Sequence, residues 1–230
     1  MIKGIIFDFD GVILNTETVE FKVFEDLFHE YGVTLPLEMW ERRVGGDKNN
    51  FDPYDYLIAY LQCKIDKTEL KKYKKNKYEN RIENENLLPG VYSYLEAAKR
   101  MNLQIGLASS SPRKRIVDLL KRCEIAHFFT HIATAEDVDH VKPNPDLYLN
   151  VLEKMNLESS HVIAIEDSPA GLMSAKRAGI YCVIVPNEVT KRLTFQQFDL
   201  RINSLDEIEL SDLINQVNME RESPQLSGKE

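Results

Sequence analysis

Two aspartates, Asp8 and Asp10, stand directly after the apolar run Ile2-Lys3-Gly4-Ile5-Ile6-Phe7 and directly before Gly11. The run reads as a buried strand, and the glycine lets the chain turn sharply where the strand ends. Carboxylates this close repel each other and are costly to desolvate, so a pair at a strand end implies a compensating cation. A magnesium ion would meet that need. One carboxylate can then act as a nucleophile and its neighbour as general acid and base, which is chemistry suited to phosphoryl transfer.

Three further polar groups follow apolar runs. Ser109-Ser110-Ser111 comes after Leu107-Ala108, Lys142 lies in Val141-Lys142-Pro143-Asn144-Pro145, and Glu166-Asp167-Ser168 comes after Ile165. Each has a plain structural reading, as a helix cap, a loop lysine and loop acids. Together they supply the parts of an aspartyl-phosphate reaction. A phosphate dianion repels an attacking carboxylate, so Asp8 needs a metal between the two charges. Hard cations take oxygen ligands, which Asp8, Asp167 and the backbone carbonyl of Asp10 suit, with Glu166 binding directly or through water. Lys142 can balance the charge gathered on Asp8 and the phosphoryl group. Ser109 and Ser110 are placed to bind phosphoryl oxygens, helped by the N–H groups of the next helix start. Asp10 remains to protonate the leaving oxygen and then to deprotonate water.

The elements that must position these groups can be read from periodicity. Strands are expected at Gln104 to Ala108, His131 to Ala135, Val162 to Ile165 and Tyr181 to Val185. Helices are expected after Ser111-Pro112, Asn144-Pro145 and Ser168-Pro169, the last ending near Gly179. Continuous apolar strands alternating with amphipathic helices predict an α/β fold, a Rossmann-like doubly wound parallel sheet. Sites in such sheets form at the carboxyl ends of strands. Four helical segments between residues 15 and 88 interrupt the alternation. One begins at Thr16 and runs to about Tyr31, one starts at Asp52-Pro53, and one opens at Asp66 and runs toward Asn86. They predict an all-helical domain (15–88) inserted in a core of 1–14 and 89–218, with Leu88-Pro89-Gly90 closing it and a frayed tail over 219–230. The basic stretch Leu70-Lys71-Lys72-Tyr73-Lys74-Lys75-Asn76-Lys77 reads as a solvated helix face, with a substrate-attracting patch as the alternative.

Composition narrows the function classes. A chain of 230 residues with 43% hydrophobic content is ordinary for a globular enzyme. Its net charge of −8 argues against a nucleic-acid surface. No apolar run approaches the roughly 20 residues of a membrane span. Cys63, Cys123 and Cys182 are widely spaced, as thiols of a reducing compartment would be. The expectation is a cytoplasmic monomer whose partner is a small phosphorylated metabolite, with no nucleic acid and no membrane.

With these residues in view, the chain resembles the haloacid dehalogenase superfamily of phosphohydrolases, and within it the β-phosphoglucomutase-like branch with a helical cap. The matching motifs are Asp8-Phe9-Asp10-Gly11-Val12, Leu107-Ala108-Ser109-Ser110-Ser111, Lys142-Pro143-Asn144-Pro145-Asp146 and Glu166-Asp167-Ser168-Pro169-Ala170-Gly171. The resemblance implies a Rossmann-like core, Mg²⁺, an aspartyl-phosphate intermediate and a cap that closes over the site. It also implies that Arg43, Gly46, Lys48 and Glu17 meet the substrate, with Phe51, Tyr54 and Tyr56 as further cap candidates. Relatives that cleave carbon–halogen bonds lack an acid at the position of Asp10, so phosphate chemistry is favoured. Three positions depart from relatives of the branch, the last two from its mutases. Asn15 replaces an acid, Glu20 replaces a histidine, and Gly45-Gly46 is followed by Asp47-Lys48-Asn49 with no arginine in register. The expected activity is hydrolysis of sugar phosphates or similar small phosphomonoesters. The alternatives are a β-phosphoglucomutase-type isomerase and, less favoured, a phospho-aspartate signalling or binding module.

Overall fold

The structure, a computed structural model, describes residues 1–44, 51–62 and 65–222. Among them, six strands form one parallel sheet in the order β3-β2-β1-β4-β5-β6. The strands are β1 (Gly4–Phe7), β2 (Gln104–Ala108), β3 (His131–Ala133), β4 (Val162–Glu166), β5 (Tyr181–Ile184) and β6 (Leu200–Arg201). Apart from Gln104 at the start of β2 and Glu166 at the end of β4, the central strands are apolar, because both faces are covered. Successive side chains alternate between two cores. Ile5 and Phe7, Ile163 and Ile165, and Tyr181 and Val183 enter one, while Ile6, Val162 and Ala164, and Cys182 and Ile184 enter the other.

Helices α5 (Val91–Arg100), α6 (Arg113–Arg122) and α9 (Leu210–Glu222) pack into the first core. Helices α7 (Asp146–Met155) and α8 (Pro169–Arg177) pack into the second. The sheet is therefore Rossmann-like and doubly wound, as its apolar runs predict. Strand β1 lies between β2 and β4, so the groups that follow these strands converge at one edge. Helix α9 runs on past Met219, where fraying was expected. Strand β3 ends at Ala133, short of Ala135, because Thr134 caps the turn at Ala135–Asp137.

Among the described residues, four helices lie between β1 and α5: α1 (Thr16–Glu30), α2 (Leu37–Val44), α3 (Pro53–Leu61) and α4 (Lys67–Ile82). Their apolar residues gather around Trp40, Phe24, Phe28 and Leu57, joined by Val189 from the loop after β5. Asp52 caps α3 through the N–H groups of Tyr54 and Asp55, and Asp66 caps α4 through Thr68 N–H, as their positions predict. Helix α4 ends at Ile82, before Asn86. Thr16 is not a cap; that place belongs to Asn15, and Thr16 is the first helical residue. The chain enters this helical stretch at Leu14 and leaves it at Leu87, which form an antiparallel bridge. No helix among the described residues is long and apolar enough to cross a membrane.

Gly90 begins α5 with a φ of 80°, a left-handed conformation, and a Cβ there would run into the backbone of Leu205 and Asp206. Backbone cannot yield as a side-chain tip can. Gly90→Ala is expected to destabilise the protein by about 2–4 kcal/mol, from the conformation and the clash together. Chemical denaturation measures it; an unchanged midpoint would contradict this packing.

Candidate active site

Asp8 follows β1, and its N–H donates to Ile165 O of β4 at 2.9 Å, so the two strand ends are locked in register. Glu166 closes β4, and Asp167 follows it. Oxygens of the Asp8, Glu166 and Asp167 carboxylates all lie within 4.8 Å of one another, and all three residues are buried. Gly11, at φ 83°, and Gly171, in the first turn of α8, keep this space open. A Cβ on Gly11 would strike the Asp167 carboxylate, and one on Gly171 that of Glu166.

Lys142 reaches this cluster from the loop before α7. Its Nζ donates to Asp8 Oδ1 at 2.7 Å and to Glu166 Oε1 at 2.6 Å. Tyr148 OH of α7 donates to the same Glu166 oxygen at 2.6 Å, and Asn187 Nδ2 donates to Asp167 Oδ2 at 2.6 Å. Burial and the neighbouring acids Glu166 and Asp10 push the Asp8 carboxyl well above the usual range, although Lys142 opposes them. Asp167 is raised by burial and by the charges of Asp8 and Glu166. Burial works against the Lys142 ammonium, but Asp8 and Glu166 outweigh it and hold its pKa up. Three carboxylates against one ammonium leave a surplus of negative charge. Glu166 Oε2 is buried with no hydrogen-bond partner. An all-oxygen, negatively charged pocket with an unfilled acceptor fits a hard divalent cation such as Mg²⁺. Asp8, Glu166 and Asp167 are the residues whose side chains could hold it.

Asp10 is built differently. Its carboxylate accepts from Thr16 Oγ1 at 2.7 Å and from Ser111 Oγ at 2.6 Å, and it pairs with Arg115 Nη1 at 2.8 Å. Burial raises its pKa, but Arg115 and the hydroxyl donors outweigh burial and hold it below the usual carboxylate value. Its side chain is held apart from the Asp8, Glu166 and Asp167 carboxylates. The sequence also assigns Ser111 to a helix cap. The cap position of α6 is Pro112, without a side-chain bond, and the Ser111 hydroxyl goes to Asp10 instead. Ser109 is fully buried, with Oγ 3.5 Å from Asp10 Oδ2, and accepts Ser111 N–H at 3.1 Å. Ser110 Oγ is buried without a hydrogen-bond partner among the described residues.

The proposed substrate residues divide. Glu17 lies near enough to Asp167 to raise its pKa and lines a cavity beside Asp10. Arg43 donates to Phe51 O at 3.4 Å and sits 5.5 Å from the Trp40 ring centre. Gly46 and Lys48 lie outside the described residues. Phe51, Tyr54 and Tyr56 pack into the apolar cluster of the helical stretch, Tyr54 against Phe24 and Tyr56 against Phe28. Arg115, Thr16, Tyr148 and Asn187 went unrecognised in the sequence. Asn187 lies three residues past β5, where the strand-end rule would have found it.

Residues 5–185 match the haloacid dehalogenase-like hydrolase family. The chain is 44% identical over 218 residues to "Putative phosphatase YhcW" of Bacillus subtilis, covering 95% of this chain and 99% of the relative. It is 31% identical over 182 residues to the phosphorylated carbohydrates phosphatase of Thermotoga maritima, covering 77% and 82%. The structure of β-phosphoglucomutase from Clostridium difficile superposes with a TM-score of 0.73 at 25% identity, covering 96% of this chain and 99% of that one.

Removing one charge from the cluster separates stability from metal binding. Asp167→Asn is expected to stabilise the metal-free protein by about 1 kcal/mol, since one of three mutually repelling buried acids is gone. The same change is expected to cut the stabilisation by Mg²⁺, which for a site filled at 100 times its Kd is about 2.7 kcal/mol. Thermal melts in EDTA and in excess Mg²⁺ measure both. Lower stability in EDTA with an unaltered Mg²⁺ response would contradict the site.

Proposed function

The chain belongs to the haloacid dehalogenase-like hydrolases, and from that premise we propose that it is a Mg²⁺-dependent phosphomonoesterase of phosphorylated sugars or similar small metabolites. The observation that carries this reading is Lys142 held between Asp8 and Glu166, at 2.7 and 2.6 Å, beside a second aspartate held apart from them. In this reading Asp8, Glu166, Asp167 and the Asp10 carbonyl hold the ion. Once bound, Mg²⁺ supplies the positive charge that lets a carboxylate approach a phosphate dianion.

The protein groups then divide the work. Asp8 attacks phosphorus, and the bond from phosphorus to the leaving oxygen breaks as the aspartyl-phosphate bond forms. Asp10 gives that oxygen its proton. Water next attacks phosphorus, Asp10 takes the water's proton, and inorganic phosphate leaves with Asp8 restored. Lys142 balances the charge on Asp8 and the phosphoryl group in both steps. Ser109 and Ser110 donate to phosphoryl oxygens. The helices of residues 15–88 form the cap over the core of 1–14 and 89–218, and Glu17 and Arg43 meet the substrate.

Hydrolysis is favoured over return of the phosphoryl group to sugar by Glu20. The resemblance gives a histidine to the mutases at this position, and here Glu20 is paired with Lys74 at 2.5 Å. The names of the Bacillus and Thermotoga relatives also point to phosphatases.

A screen of phosphorylated metabolites with Mg²⁺ tests the proposal. Release of inorganic phosphate is expected, lost in EDTA, with little conversion of β-glucose 1-phosphate to glucose 6-phosphate even when the bisphosphate is supplied. Asp8→Asn is expected to lower turnover by at least about 10³-fold. Full activity in EDTA would refute the metal assignment, and efficient isomer formation without phosphate release would make the chain a mutase.

A further inference from the structure

Next to Asp10 lies a cavity of about 170 Å³ that none of the three clustered carboxylates lines. Its wall includes Asp10, Glu20, Lys74, Tyr78, Ser111 and Arg115, drawn from the loop after β1, α1, α4, the loop after β2 and α6. These groups form one chain of contacts. Arg115 Nη1 donates to Ser111 Oγ at 2.8 Å and pairs with Asp10, while Nη2 donates to Tyr78 OH at 2.7 Å. The Tyr78 ring centre lies 4.6 Å from Lys74 Nζ, and Lys74 is paired with Glu20. The helical stretch thus reaches Asp10 through a tyrosine and an arginine.

Two physical points decide what fits here. Both cations are already matched to carboxylates, so a second dianion would have to break an ion pair in a half-buried place. Hydroxyl groups can accept from a cation and donate to a carboxylate, so they can stand in for one member of a pair without bringing in a further charge. At roughly 30 Å³ of liquid volume per water, the space holds about six waters, the scale of a sugar rather than a nucleoside. An oxygen that Asp10 protonates must sit beside Asp10, so the rest of its leaving group falls in this cavity.

Resting on the phosphomonoesterase reading, we propose that Arg115, supported by Tyr78, is the specificity-determining residue for a neutral polyhydroxyl leaving group. Hydroxyls of that group take over the Arg115 hydrogen bonds that Asp10 holds in this structure. Asp10 is then released toward the phosphoester oxygen. A leaving group without hydroxyls leaves the guanidinium short of acceptors when Asp10 turns away, which is costly for a charge in this setting.

The test compares leaving groups in one enzyme. The readout is kcat/KM for the better of glucose 6-phosphate and sorbitol 6-phosphate, divided by kcat/KM for p-nitrophenyl phosphate, whose leaving group has no aliphatic hydroxyl. Tyr78→Phe is expected to lower this ratio about fivefold and Arg115→Gln about 30-fold or more, the scale of losing hydrogen bonds to a charged group. Arg115→Lys is expected to recover part of it. An unchanged ratio in Arg115→Gln and Tyr78→Phe, with both substrates slowed alike, would overturn the inference while leaving the phosphatase reading intact. A wild-type enzyme that releases phosphate from none of the three compounds would refute that reading and this inference with it.

Discussion

The Lys142 ammonium between Asp8 and Glu166 is the contact on which the site depends. Buried carboxylates whose oxygens lie within 4.8 Å of one another are tolerable only if opposite charge and donors surround them. Lys142 comes from a loop far along the chain, so its ion pairs tie the end of β1 to the end of β4 and to α7. Tyr148 and Asn187 complete the support, the first on Glu166 and the second on Asp167. The sheet order places β1 beside both β2 and β4, which brings Asp8, Ser109 and Glu166 to neighbouring places at one edge.

The two N-terminal aspartates show how environment separates like groups. They are two residues apart, yet burial and neighbouring acids raise the pKa of Asp8, while Arg115 and the Ser111 and Thr16 hydroxyls lower that of Asp10. These preferences run opposite to the proposed roles, an ionised nucleophile at Asp8 and a protonated donor at Asp10, so the roles require a cation beside Asp8 and the release of Asp10 from Arg115. The sharp turn at Gly11 makes the separation possible. It sends Asp10 toward α1 and α6 while leaving the Asp167 carboxylate the space a side chain at Gly11 would fill.

Much of this was legible in the sequence because it rests on local rules. The apolar strands read as buried on both faces, Asp52, Asp66 and Ser168 read as caps, and the polar groups after strands read as a convergent site. What escaped depends on helix rotation and on competition between partners. Arg113, Lys114 and Arg115 look alike in sequence, but the turn of α6 directs Arg113 to Asp137, Lys114 to Asp118 and only Arg115 to Asp10. Ser111 and Thr16 carry cap-type side chains, and a strong carboxylate acceptor drew their hydroxyls away from the backbone. The basic run of α4 was divided in the same way: Lys74 points to Glu20 and the cavity, whereas Lys75 stays on the surface with Glu79.

The central claim is that Asp8 carries the phosphoryl group during turnover. Enzyme mixed with Mg²⁺ and a hydrolysed sugar phosphate, quenched in acid within the first turnover and digested, can be read by mass spectrometry for the phosphorylated residue. The account predicts the phosphoryl group on Asp8 alone, and none in Asp8→Asn. Phosphate found on Asp10 or on one of Ser109, Ser110 and Ser111 would contradict it.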